Sequence, residues 1–238
     1  MKKTRFGVWA VGWLLLVSAS VGCPKSGQVP ATPPPQTVVE DEAPSLGPGE
    51  SGAFDYYVLS LSWSPQFCST RKTKPDDEQC GGGKHFGFVV HGLWPQYEKG
   101  FPESCPTTQQ LASTTVEKMV GILPTRKLIQ HEWEKHGTCS GLLAAHYFAQ
   151  IETAYSALVI PPELQKPTTE VQTTLTEIKQ RFGAENPRLV PGSVTVQCSG
   201  AFVREVRICL RKDLSPMPCS GFVRDTCKAP VLQFRPVP

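Results

Sequence analysis

Acidic residues are missing from the first 22 positions, aromatic residues are missing from 24 to 52, and the 238-residue chain carries a formal charge of only +3. Each gap excludes something. Without an acid, "MKKTRFGVWAVGWLLLVSASVG" is a basic start followed by an apolar stretch ending in small residues, which predicts an export signal over 1–22 rather than a folded segment. Without aromatics and with seven prolines, 24–52 has little to bury, and a Pro-rich tether is expected over 23–52. Without a charge excess, electrostatics alone names no polyanionic partner. Setting aside Lys2, Lys3, Arg5 and Lys25, and Glu40, Asp41, Glu42 and Glu50, leaves 20 basic and 17 acidic residues in 53–238. No repeat or second boundary interrupts that region, so it reads as one domain.

Cysteine is plentiful, and its count is odd at nine. In an exported chain an odd count leaves one thiol over. Cys23 directly follows small residues at the end of the apolar stretch, as the acylated cysteine of a bacterial lipoprotein does, although Ser20 stands where such signals carry a large aliphatic residue. An ordinary cut after Ser20 or Gly22, or an uncleaved anchor, is the alternative. With Cys23 as a lipid site, Cys68, Cys80, Cys105, Cys139, Cys198, Cys209, Cys219 and Cys227 remain for four bridges, among about a hundred conceivable pairings. The expectation is an exported protein, periplasmic or at the cell surface, held to a membrane by its N-terminal lipid.

Two periodicities mix in the domain. The stretches 54–63 ("FDYYVLSLSW") and 85–94 ("HFGFVVHGLW") are rich in β-branched and aromatic residues, while 193–198 and 201–212 partly alternate apolar with polar, as half-buried strands do. Helical spacing runs through 111–123, 125–136, 142–158 and 168–182. Strands bracket the helices. This predicts an α+β fold, a central antiparallel sheet with packed helices in a disulfide-stapled single domain.

The stretch "HEWEKHGTC", 131–139, lies on one of these helices, bounded by Pro124 and Gly137. At about 100° per residue, His131, Glu132, Lys135 and His136 share an arc of roughly 140°. A zinc protease needs histidines at i and i+4. Here the second histidine is at i+5 and a lysine occupies i+4, which opposes a divalent ion, so no metal and no cofactor are expected. A second cluster, "HGLWPQY" (91–97), puts His91 where an apolar strand is expected to emerge into a loop; a core histidine is the structural alternative.

Three imidazoles, a lysine and a carboxylate suit phosphodiester cleavage by a neighbouring ribose hydroxyl. That reaction needs a base for the 2'-hydroxyl proton, an acid for the leaving 5'-oxygen and donors around the phosphorane oxygens. Two imidazoles can be poised one neutral and one charged.

The segments "FVVHGLWP" and "HEWEKHGTC", in that order, resemble the two active-site segments of the ribonuclease T2 family of secreted, base-nonspecific ribonucleases. "LSLSWSPQFC" and "FVREVRICL" are similar to that family's first and late strands, so the likeness runs from about Tyr56 to Cys227. The resemblance implies an endoribonuclease that cleaves single-stranded RNA to 2',3'-cyclic phosphate ends with low base specificity. It implies catalytic roles for His91 and His136 in proton transfer, His131 in phosphate binding, and Glu132 and Lys135 in stabilising the pentacoordinate state. Trp94 would stack on a base through an exposed face, and Gln96 would lie in the base site. It also implies bridges Cys105–Cys139 and Cys198–Cys227; proximity in sequence suggests Cys68–Cys80 and Cys209–Cys219. RNA is the expected partner and a monomer the expected state. A silent RNA-binding relative and a zinc hydrolase are the competing readings.

Overall fold

A computed structural model of the chain describes residues 47–72, 74 and 77–238. The expected signal over 1–22, Cys23 and the tether as far as residue 46 lie outside the described residues. Among those described, no helix is long and apolar enough to cross a membrane.

The strands are β1 (Tyr56–Trp63), β2 (Phe88–Gln96), β3 (Val171–Thr173), β4 (Val194–Ser199), β5 (Phe202–Leu210) and β6 (Leu232–Phe234). The helices are α1 (Ser64–Ser69), α2 (Ser113–Met119), α3 (Arg126–Lys135), α4 (Ala144–Ser156) and α5 (Leu175–Glu185). One six-stranded sheet has the order β2-β1-β5-β6-β3, with β4 also paired to β5. Its ladders are antiparallel except for a parallel contact of Phe202 with Gln233. This is the α+β fold expected from the sequence.

The alternation of β1 sorts the two sheet faces. Tyr57, Leu59, Leu61 and Trp63 join Val90, Leu93, Val196, Val206 and Ile208 in the main core, together with Met119, Ile129, Trp133, Tyr147, Phe148, Ile178 and Phe182 from the helices. The opposite face is polar at its centre, where Ser60 lies opposite Gly92 and Arg207, Thr195 opposite Arg207, and Gln197 opposite Glu205; Tyr56, Val58, Trp94, Cys209 and Val223 form a smaller apolar cluster beside it.

Three local readings change. Residues 171–173, expected to be helical, form β3; Thr174 then caps α5 through a reciprocal capping box with Glu177, which fixes the helix start after the strand. The short β6 is a strand that the sequence did not suggest. His91 does not end its strand. β2 continues to Gln96, and the register slips where Ser60 faces Gly92 but Leu61 faces Val90, leaving His91 as the extra residue of a bulge. A bulge re-aims a side chain, and this one turns His91 toward the polar face.

Helix α3 starts at Thr125, whose hydroxyl accepts from the Leu128 amide. It stops where Gly137 leaves no room for a side chain: a Cβ there would lie 2.5 Å from Trp133 and 2.8 Å from Tyr147. A 3-10 turn, Gly137–Ser140, follows. Four disulfides join Cys68–Cys80, Cys105–Cys139, Cys198–Cys227 and Cys209–Cys219, the pairs named above. Residues 51 and 52, at the end of the expected tether, pack on the 3-10 turn. The Ser51 hydroxyl donates to the Thr138 carbonyl at 2.7 Å, and the Gly52 amide to that of Cys139 at 2.9 Å.

Candidate active site

The bulge of β2 and the last turn of α3 bring the two motif segments together around Trp94. Its indole Nε1 donates to Glu132 Oε2 at 2.8 Å. The His91 ring stands edge-on to it at 5.1 Å, and the His136 ring lies 5.4 Å away on a 33° tilt. Gly92 is obligatory here, because a Cβ would come within 1.9 Å of Glu132 Oε2 and 2.4 Å of Trp94 Nε1. The exposed face expected of Trp94 is absent. The residue is only 5% exposed, and the Arg207 guanidinium lies 5.0 Å from its ring centre, so the indole braces the site from within.

The arc of four ionisable groups on α3 divides by depth. Glu132 and His136 are buried; His131 and Lys135 stand at the rim, with Lys135 Nζ 3.6 Å from Glu103. Glu132 Oε1 and His136 Nδ1 are buried without a hydrogen bond. Buried polar atoms left open in this way are positions where a substrate can supply the partner. Phe101 adds an aromatic wall 6.0 Å from His136, and Val58, Gln96 and Val223 complete a narrow cleft beside that imidazole.

The two histidines that flank Trp94 are poised oppositely. Burial disfavours charge on His91, but its hydrogen bond to Glu205 and the charges of Glu205 and Glu132 outweigh that, and its pKa rises to about 9. Burial, then Lys135, His91 and His131, push His136 well below 6.5. Around neutral pH one is therefore an imidazolium and the other a neutral imidazole. Burial raises Glu132 to about 7 against the opposing pull of His91, Trp94 and Lys135. His131 is lowered by burial and by Lys135. Among the described residues no group of three metal-type ligands is placed to hold an ion.

Sequence reasoning missed Glu205 and Arg207 on β5. Glu205 Oε1 accepts from His91 Nδ1 at 2.8 Å, while Arg207 Nε and Nη2 donate to Oε2 at 2.9 and 2.7 Å. The available signal was a Glu and an Arg two apart, hence on one strand face, in "VREVRICL", where Arg204 falls on the other face.

The Ribonuclease T2 family model matches residues 54–219, which take in both motif segments and β5. A ribonuclease of Aeromonas hydrophila is 50% identical over 103 residues, covering 43% of this chain and 45% of that protein. A probable ribonuclease of Haemophilus influenzae is 38% identical over 129 residues, 49% of this chain and 47% of that protein. The chain thus spans about half the length of these curated relatives. An RNase-related protein from Calystegia sepium, 22% identical, superposes with a TM-score of 0.64 over 78% of this chain and 98% of its own, a likeness of fold. On the family match, the chain belongs to the ribonuclease T2 family.

Proposed function

We propose that the protein is an endoribonuclease that cleaves single-stranded RNA without a metal, through a 2',3'-cyclic phosphate. The observation that carries this reading is the pair of oppositely poised imidazoles beside one buried carboxyl. Neutral His136 takes the proton from the ribose 2'-hydroxyl, and the 2'-oxygen attacks phosphorus. The bond from phosphorus to the 5'-oxygen breaks, and cationic His91 gives that oxygen its proton. His131 and Lys135, at the rim one turn apart, suit the phosphate oxygens. Glu132 holds the phosphoryl site in geometry from below. Trp94, Gln96 and Phe101 are buried to a similar degree and line one narrow cleft beside His136, so low base specificity is supported by the family membership and not by an open stacking platform.

The export-type N-terminus further suggests that the enzyme acts outside the cytosol, anchored through Cys23. The similarity to the ribonuclease of Aeromonas hydrophila and the probable ribonuclease of Haemophilus influenzae supports RNA as substrate. Purified protein incubated with RNA in EDTA should yield products ending in 2',3'-cyclic phosphate and leave DNA intact. Cleavage that EDTA abolishes and zinc restores would refute the reading.

A further inference from the structure

We propose that Glu205, gripped by Arg207, is a positioning residue that fixes the His91 ring so that Nε2 is its proton-transfer atom. The inference rests on the ribonuclease reaction above and adds a residue to it. Both carboxylate oxygens of Glu205 are committed, Oε1 to His91 Nδ1 and Oε2 to two nitrogens of Arg207. Glu205 and Arg207 are 4% and 6% exposed, so the fork is held out of water. A carboxylate bound to one imidazole nitrogen sets the tautomer and the ring plane, and leaves the other nitrogen to work. In His91 that other nitrogen is Nε2, which looks across 3.8 Å to Glu132 Oε1, beyond hydrogen-bond range.

An ion pair this deep is not explained by stability, since apolar side chains of similar volume usually serve a core equally well. Its use lies in what it aims. Arg207 also stacks on Trp94, which holds Glu132, so one guanidinium braces the carboxylate behind His91 and the indole that carries the carboxyl in front of it. The charged groups facing His91 are Glu205 and Arg207 from β5, with Glu132, His131 and His136 from α3 and its C-terminal end. Of the two acids, only Glu205 hydrogen-bonds the ring.

The test is Glu205→Gln in the full chain, which removes the charge and leaves a single acceptor oxygen to be shared between His91 Nδ1–H and the Arg207 donors. The alkaline limb of the pH–rate profile should move down by about one to two pH units, and kcat at pH 8 should fall on the order of 10- to 100-fold with KM changed less than about threefold. A folded variant whose alkaline limb stays in place overturns the proposal, while a native enzyme that fails to cleave RNA overturns the ribonuclease reading instead. Should the variant not fold, nitrogen-15 NMR of the native His91 ring decides. A slowly exchanging Nδ1 proton and titration well above 6.5 support the positioning role; fast exchange and titration near 6.5 overturn it.

Discussion

Truncating His136 or His91 to alanine should each lower kcat/KM on RNA by about two to four orders of magnitude, the range for losing a general base or acid. The two losses should not multiply in the double variant, because acid and base act in one step. His136→Ala removes the neutral imidazole from a buried wall, whereas His91→Ala also leaves Glu205 with Arg207 as its remaining partner, so a stability cost is expected mainly for the second. Unfolding curves run beside the kinetics separate the two effects. If folded His91→Ala keeps most of the activity, His91 is a core histidine and the acid must be sought elsewhere.

The second large effect concerns the bridge between Cys105 and Cys139. Both residues are buried, and the bridge ties the loop after β2 to the turn after α3. The Ser104 amide donates to the Lys135 carbonyl at 2.7 Å beside it, so Phe101 and Glu103 are held against His136 and Lys135 from one clamp. Replacing both cysteines by alanine should cost about 4 kcal/mol through the freed loop of the unfolded chain. It should also lower kcat at least about tenfold, since a displacement near 1 Å in a reacting geometry is expensive. Removing Cys68 and Cys80 instead should cost about 3 kcal/mol and leave kcat within about twofold. Calorimetry and initial rates on the two variants test this; equal retention of kcat would show that the clamp serves stability alone.

The four-residue arc on α3 was legible because it depends on local periodicity, and helical spacing places His131, Glu132, Lys135 and His136 whatever packs against them. Depth was not legible. Trp94 reads equally as platform or as wall until β5, two strands away in the sheet, brings Arg207 over its ring. The bulge at His91 depends on the register of β1 against β2, a relation between segments some thirty residues apart. Glu205 lies 114 residues from His91, and charged residues on a late strand look like a solvated face unless the pairing of β5 with β1 is known. The fold class came from the order of strands and helices, but β3 and β6 are three-residue strands that exist through each other. No single-segment pattern distinguishes such a pair from loop.

The measurement that tests the central claim most directly is the pH dependence of kcat/KM for RNA cleavage, taken throughout in EDTA. The acid limb should lie below pH 6.5, where His136 becomes charged and can no longer accept a proton. The alkaline limb should lie near pH 9, where His91 loses the proton it must donate, with a shallow inflection near 7 from Glu132. Activity that rises monotonically past pH 9, or that vanishes in EDTA at every pH, would contradict the assignment of two metal-free histidines as acid and base.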